Sequence, residues 1–252
     1  ILFADDTTIY YTNENIDNLF HNLNSDLVQV TDWFQANKLS LNTTKTNYVL
    51  IHNVVQEVPP HNHKVYIAGT EIKEVDEAPF LGLIIDKNLQ WQAHIGSVKS
   101  KLSKSLYILR QVCNILPKQI LRTLYYSLVY SKLQYGIMHW GTKATFNYNL
   151  EHIIAKQDKA ICIINKKKIT KRNSHLFAAA KVLKFDDIVR FEMLKVMYEY
   201  YHKNLPLPLM EMFVSNEHFH PYNTRHAQDP HLKIYRYKIA SESFLHRGPS
   251  EW

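Results

Sequence analysis

The feature that most constrains the fold is a change in the hydrophobic pattern near Trp91. Before this residue, short β-prone runs surround one long amphipathic segment; after it, apolar residues recur at helical spacing in several successive segments. Separate blocks of strand and helix patterns are typical of the α+β class. The chain contains only 6 glycines among 252 residues, which also favours helices over a glycine-rich sandwich. The sequence therefore predicts an α+β fold whose later part is all helical.

The first block is predicted to alternate strands with one helix. Residues 1–4 and 7–11 are β-prone and flank Asp5-Asp6, a pattern that predicts a tight hairpin. A helix is predicted over residues 16–36, because its apolar residues fall on one face. Further strands are predicted at residues 48–52, 65–67, 71–73 and 80–85, the second and third joined as a hairpin through Gly69.

The second block is predicted to be a series of helices. The apolar spacing predicts helices over residues 98–112, 120–133, 150–164 and 186–201, with breaks near Pro117, Pro206 and Pro208. Beyond Met212 the sequence is polar and rich in His and Pro, which predicts a loosely ordered tail. The expected domains are residues 1–90, residues 91–172, and residues 173–252 as a helical extension that ends in this tail.

Positive charge is concentrated in the middle of the chain. Residues 1–90 contain 5 Lys and Arg against 12 Asp and Glu, whereas residues 91–172 contain 15 against 2. Folding such a basic block is opposed by its own repulsion, which a polyanion would relieve. Nucleic acid is therefore the expected partner of residues 91–172.

Cysteine content and hydropathy exclude several classes. The two cysteines, Cys113 and Cys162, are far apart and form no Cys-x-x-Cys pair, so neither a disulfide scaffold nor a cysteine-based zinc site is expected. No apolar run of about 18 residues occurs, so no membrane partner is expected. The composition favours a reducing, intracellular setting.

The adjacent carboxylates of Asp5 and Asp6 are the first sign of chemistry. Two acids on a hairpin turn can together present oxygen ligands to a hard divalent cation. Most Asp-Asp pairs are solvated turns, so the pair alone is a weak signal. Its meaning depends on the motifs C-terminal to it.

The order of motifs resembles the reverse transcriptases of non-LTR (LINE-type) retrotransposons, particularly the jockey-like clade. The motifs run from Phe3-Ala4-Asp5-Asp6 through Asn42-Thr43-Thr44-Lys45-Thr46, Phe80-Leu81-Gly82, Trp91-Gln92-Ala93-His94-Ile95, Leu109-Arg110, Leu116-Pro117 and Tyr135–Gly141 to Tyr222-Asn223-Thr224-Arg225 and Arg247-Gly248-Pro249. Each is short, but together and in this order they are specific. They extend over essentially the whole chain.

The resemblance implies a polymerase site and its cofactor. It implies that residues 1–90 are the later part of a polymerase palm and that residues 91–172 are a helical thumb. Asp5 would coordinate metal, with Asp6 as its secondary neighbour, and Lys45 would neutralise the departing pyrophosphate, although a surface lysine remains the alternative. Leu81 and Gly82 match the strand that grips the primer end. The expected cofactor of the intact enzyme is a pair of Mg²⁺ ions. Its expected substrates are deoxynucleoside triphosphates, with an RNA template and a DNA primer. The expected location is the nucleus or a cytoplasmic ribonucleoprotein.

The basic thumb supplies the candidates for nucleic-acid binding. They are Lys99, Lys101, Lys104, Arg110, Lys118, Arg122, Lys132, Lys166, Lys167, Lys168, Lys171 and Arg172. A solvated charged face or a nuclear localisation signal is the alternative. The imbalance of 15 basic against 2 acidic residues over residues 91–172 favours phosphate contacts.

The position of the Asp-Asp turn leads to an expectation about activity. In the resembled family the other metal-binding aspartate and the fingers precede this turn, so the chain reads as a fragment that does not polymerise DNA by itself. A non-enzymatic nucleic-acid-binding remnant of a transposon is the main alternative. A helical module that binds an acidic protein is a weaker one.

Overall fold

The computed structural model describes residues 2–3, 6–52, 63–142, 147–167, 174–219, 222, 225–236 and 238–252. The chain divides into two compact units, Ile1–Leu89 and Gln90–Trp252. Small sheets and one long helix form the first unit, and helices form most of the second. The predicted α+β class is confirmed; the assignment of the units to palm and thumb stays a prediction.

The first unit is built on helix α1, Ile16–Ala36. Its strands are β1 (Leu2–Phe3), β2 (Asp6–Thr7), β3 (Asn47–Tyr48), β4 (Val65–Ile67), β5 (Thr70–Glu74), β6 (Glu77–Phe80) and β7 (Leu83–Asp86). The strands β1 and β2 form an antiparallel hairpin, as do β6 and β7. In the third sheet, β5 lies between β3, which is parallel to it, and β4, which is antiparallel.

The predicted amphipathic face of α1 forms the core of this unit. The helix begins after Asn15, whose side chain accepts a 3.0 Å hydrogen bond from the backbone N–H of Asn18. Phe20 and Leu27 are buried against Val65 and Ile72 of the neighbouring sheet. One helix face and one sheet face thus supply a single small apolar cluster.

Several strand predictions are corrected by the structure. The run predicted at residues 7–11 is a strand only in Asp6–Thr7, and that predicted at 48–52 only in Asn47–Tyr48. Residues 80–85, predicted as one strand, are the turn and parts of both arms of the hairpin β6–β7. Leu81 and Gly82 lie in its turn with φ of 47° and 82°. The apolar run predicts one continuous strand, but positive φ values at two successive residues form a tight turn, so the chain reverses direction there.

The second unit contains the helices predicted from the apolar spacing. Its α-helices are α2 (Gln92–Val112), α3 (Lys118–Tyr125), α4 (Ser131–Gln134), α5 (Ile137–Trp140), α6 (Asn147–Ile164), α7 (Ser174–Ala180), α8 (Phe185–Tyr201), α9 (Leu207–Met210), α10 (Lys238–Ser241) and α11 (Phe244–Glu251). A π-helical segment, Tyr126–Tyr130, joins α3 to α4 without a break. No helix in the described part of the chain is long and apolar enough to cross a membrane.

The core of the second unit lies between α2, α6 and the segment from α3 to α4. The residues of α2 that are buried here, Ile95, Val98, Leu102, Leu106 and Leu109, recur at the spacing of one helix face. Leu121, Tyr125, Val129 and Leu133 are buried from the segment that contains the π-helix, and α6 contributes Ile153, Ile161 and Ile164. These buried faces hold α2 and α6 side by side.

The end of the chain packs onto α8, although the sequence predicts a loosely ordered tail there. Helix α11 lies against α8, and the buried Gly248 is so close to Met197 that an added Cβ would meet its Sδ at 2.9 Å. Arg247 donates through Nε to Glu251 and also pairs with Glu242. Within the Arg247-Gly248-Pro249 motif, Gly248 therefore lets α11 pack closely on α8, and Arg247 makes ion pairs within the C-terminal segment.

Candidate nucleic-acid interface

The structure describes only one acid of the Asp-Asp pair. Asp6 lies in β2, is exposed, and pairs in register with Phe3 of β1. Asp5 lies outside the described residues. A hairpin is thus present, but Asp6 lies in its second strand and not in the turn where the sequence predicts it; its carboxylate oxygens are ligands of the kind that Mg²⁺ takes. Among the described residues, however, no group of three or more His, Cys, Asp or Glu side chains is arranged to hold a metal ion.

Lys45 lies in a turn that Asn42 organises. The backbone N–H of Lys45 donates to the Asn42 carbonyl at 3.1 Å, and the hydroxyl of Thr46 donates to the same carbonyl at 3.0 Å. The Thr44 hydroxyl donates to Asn42 Oδ1 at 2.7 Å. The Asn-x-x-Lys-Thr motif therefore builds a local turn that leaves the Lys45 side chain exposed.

Helix α2 carries the predicted cations Lys99, Lys101, Lys104 and Arg110, and all four are exposed. They alternate with the buried residues of the helix, so its inner face packs on the core while its outer face is basic. An exposed basic helix face is suited to phosphate contacts.

Three other predicted cations make contacts within the unit. The ammonium group of Lys118 donates to the carbonyl of Ala179 at 3.4 Å, near the end of α7. The guanidinium of Arg122 lies 6.0 Å from the ring centroid of Tyr126. Lys132 donates to Ser105 Oγ at 2.6 Å, and partial burial followed by repulsion from Lys101 lowers its pKa. Each of these side chains has an evident structural partner besides any phosphate.

The cluster at the C-terminal end of α6 is only partly described. Lys166 is exposed and has a φ of 52°, and the backbone N–H of Lys167 donates to the carbonyl of Cys162 at 3.0 Å. This geometry ends the helix in the way that a glycine commonly does. Lys168, Lys171 and Arg172 lie outside the described residues.

The structure also shows two cations that the sequence analysis does not single out. Lys156 and Lys159 lie on α6 beside α2, and the Lys156 ammonium donates to Ser103 Oγ of α2 at 2.6 Å. The sequence does contain one signal for them: Lys156 and Lys159 are three residues apart on a predicted helix with a clear apolar face, so both lie on the same side of that helix. Knowing which helix packs on α6 is what places them next to the basic face of α2.

Comparison with known proteins places these features in context. The chain is 22% identical over 191 residues to a probable RNA-directed DNA polymerase from transposon X-element of Drosophila melanogaster; the match covers 74% of this chain and 20% of that protein. It is 24% identical over 150 residues to the corresponding protein from transposon BS of the same fly, covering 58% of this chain and 16% of that protein. No family model and no solved structure matches.

These similarities confirm the predicted resemblance to the reverse transcriptases of non-LTR retrotransposons. The matched region spans a fifth or less of the length of either relative. What the relatives share with this chain is therefore a limited region of a much longer protein.

Proposed function

We propose that this chain is part of a retrotransposon RNA-directed DNA polymerase, in which unit Ile1–Leu89 carries the Asp-Asp turn and unit Gln90–Trp252 binds the template and primer. The observation that carries the proposal is the similarity over 191 residues to a transposon RNA-directed DNA polymerase. The exposed basic face of α2 supports it, because phosphate contacts dominate the affinity of proteins for nucleic acids.

The proposed chemistry is two-metal nucleotidyl transfer. In the intact polymerase, Asp5 and Asp6 would supply carboxylates to Mg²⁺, which would activate the attacking hydroxyl and neutralise the leaving group. Lys45, exposed in the turn built by Asn42, would place positive charge near the departing pyrophosphate. Leu81 and Gly82, in the β6–β7 turn, would contact the primer end.

We further propose that polymerisation needs metal ligands beyond those of this chain. Two-metal sites hold their ions about 3.5–4 Å apart, and the resemblance implies that a further palm aspartate supplies ligands to them besides Asp5 and Asp6. The proposal predicts no primer extension by the purified chain on an RNA template with Mg²⁺ and deoxynucleoside triphosphates. Extension that disappears in Asp5→Ala would contradict this point and support the enzymatic assignment directly.

The nucleic-acid part of the proposal is tested by binding. The full chain should bind a labelled RNA–DNA hybrid with an affinity that falls steeply as salt rises. If the chain binds nucleic acid in a salt-dependent way but the intact parent protein has no polymerase activity, the result would favour a non-enzymatic nucleic-acid-binding remnant. That second candidate is supported by the same basic face of α2. If the chain binds an acidic protein and an excess of polynucleotide does not displace that protein, the result would overturn both the polymerase proposal and the nucleic-acid-binding candidate.

A further inference from the structure

Folding of the helical unit assembles a row of four cations from two helices. Lys99 and Arg110 lie on α2, and Lys156 and Lys159 lie on α6, which packs along it. Partial burial lowers the pKa of Lys156, and repulsion from Lys159, Lys99 and Arg110 lowers it further. Lys156 therefore lies close enough to the other three positive groups to be repelled by each of them. Together the four form the α2–α6 cation row.

Ser103 holds the central cation of this row in place. Its Oγ accepts a 2.6 Å hydrogen bond from the ammonium group of Lys156 and donates a 2.9 Å hydrogen bond to the backbone carbonyl of Lys99. A hydroxyl carries no charge, so this contact orients Lys156 without neutralising it. An ammonium group has three donors, and within the described part of the chain Ser103 accepts from one of them.

No carboxylate neutralises the row within the described part of the chain. None of its four cations takes part in an ion pair there. Asp158 is the acid of α6 nearest in sequence; burial raises its pKa, and Lys184 opposes that rise. Glu151 is five residues before Lys156, about 7.5 Å along the helix, and makes no ion pair within the described part of the chain. A cation that is repelled by three others in this way is stabilised by a bound polyanion.

The length of the row indicates which polyanion fits. Lys99 and Arg110 are eleven residues apart, a rise of about 16 Å along α2. A nucleic-acid strand has one phosphate per roughly 3.4 Å of duplex axis, so several consecutive phosphates match this length. Tyr107, whose side chain is 63% exposed, lies between the two ends on the same helix.

We propose that the α2–α6 cation row binds the sugar-phosphate backbone of one nucleic-acid strand, with Lys156 as its central contact and Ser103 as the residue that positions Lys156. The inference rests on the proposed function and deepens it by naming the contacts. It adds Lys156 and Lys159 to the interface. It also assigns to Ser103 an indirect role, in which the hydroxyl positions Lys156 and does not itself contact phosphate.

The test measures binding of the full chain to a fluorescein-labelled RNA–DNA hybrid by anisotropy, between about 50 and 200 mM salt. Lys156→Gln and Lys159→Gln should each weaken binding at every salt concentration and reduce the slope of log affinity against log salt by about 1. Lys233→Gln is the matched control, since it removes the same charge from an exposed position outside the row. Because Lys159 is exposed, its variant keeps the test valid should Lys156→Gln unfold.

Ser103 is tested by a change that leaves the charge intact. Ser103→Ala should weaken hybrid binding a few-fold, roughly the value of one hydrogen bond, without lowering the melting temperature by as much as a core variant does. Ser103→Thr retains the hydroxyl and should restore the affinity. A purely structural role would instead lower the melting temperature and leave the affinity of the folded protein unchanged.

The outcomes separate this inference from the proposed function. A wild-type chain that fails to bind the hybrid in a salt-dependent way refutes the proposed function and the inference together. Salt-dependent binding in which Lys156→Gln and Lys159→Gln behave like Lys233→Gln refutes the inference alone. Displacement of the hybrid by equimolar tripolyphosphate would show a site for small phosphates and would also overturn it.

Discussion

The hydroxyl of Ser105 on α2 accepts a 2.6 Å hydrogen bond from the ammonium group of Lys132 on α4. The same hydroxyl contacts the carbonyls of Leu128, at 2.8 Å, and Lys101, at 3.0 Å. Ser105 is only 1% exposed, so a single small side chain satisfies polar groups from two packed helices.

Replacing Ser105 should therefore destabilise the helical unit. Ser105→Ala leaves Lys132 and the Leu128 carbonyl without this partner, and we expect the free energy of unfolding to fall by about 1–3 kcal/mol. Ser100→Ala, at an exposed position of the same helix, should change it by less than about 0.5 kcal/mol. Urea unfolding followed by circular dichroism measures both. Equal effects of the two substitutions would show that the Ser105 contacts contribute little.

Two glycines in helices should respond to substitution in opposite directions. An added Cβ at Gly248 meets Met197 Sδ at 2.9 Å, whereas one at Gly96 meets nothing within 4 Å. Gly248→Val should lower the free energy of unfolding by about 1–3 kcal/mol through overpacking. Gly96→Ala should raise it by roughly 0.5–1 kcal/mol through the better helix propensity of alanine. A stabilised Gly248→Val would show that α11 does not dock on α8 as described.

Arg247 should matter for stability and not for nucleic-acid binding. Its side chain is 21% exposed, and its guanidinium pairs with Glu242 and Glu251. Arg247→Gln removes the cation that pairs with Glu242 and leaves Glu251 with Arg190, 3.5 Å away, so we expect the free energy of unfolding to fall by about 1–3 kcal/mol, reduced by the remaining solvent access. Affinity for the RNA–DNA hybrid should stay unchanged at a temperature where the variant is folded. A weaker affinity with an unchanged melting temperature would instead place Arg247 in the interface.

The stability of the helical unit should decrease below neutral pH because of His94. This residue is 4% exposed, and burial, then repulsion from Lys101, lowers its pKa below the ordinary value of 6.5. The unfolded chain therefore binds a proton more readily than the folded one. The contribution is complete above about pH 6.5 and is lost as the pH falls from there toward the lowered pKa of the folded state.

The pH prediction is checked by melting temperatures between about pH 5 and 7.5, across the range of histidine titration. His94→Gln should reduce the dependence on pH, while His175→Gln, at an exposed position of α7, should leave it as in the wild type. An identical pH dependence in wild type and His94→Gln would show that another group is responsible.

The sequence predicted the helices better than the strands, for a physical reason. An amphipathic helix such as α1 or α2 repeats its pattern over many turns, so its period is clear. The hairpin of β6 and β7 has four residues in each arm and its apolar residues run through the turn at Leu81, so the pattern reads as one strand. Short strands contain too few residues to show a period, and a strand such as β3 is also set by pairing with a distant partner, β5.

The candidate interface was predictable in part for a related reason. Lys99 and Arg110 were identified because they belong to a block with an obvious excess of positive charge. Lys156 and Lys159 belong to the same block, but their relevance depends on the packing of α6 against α2, a contact between residues about fifty positions apart. Local patterns in a sequence do not report such pairings. Asp5, which the motif singles out most clearly, lies outside the described residues.

The π-helical segment Tyr126–Tyr130 sets the rotational phase of α4. Four residues of this segment are buried at intervals of four: Leu121, Tyr125, Val129 and Leu133. In an ideal α-helix, four residues turn by about 40° more than one full turn, so these side chains would drift away from a single face. A wider turn, marked by the hydrogen bond from the N–H of Ser131 to the carbonyl of Tyr126, absorbs this excess. Deleting one residue here would let an unbroken α-helix form, and because eleven residues at about 100° each come within roughly 20° of three full turns, Lys132 would keep facing Ser105; the wide turn therefore marks a place where this helix accepts the loss of one residue.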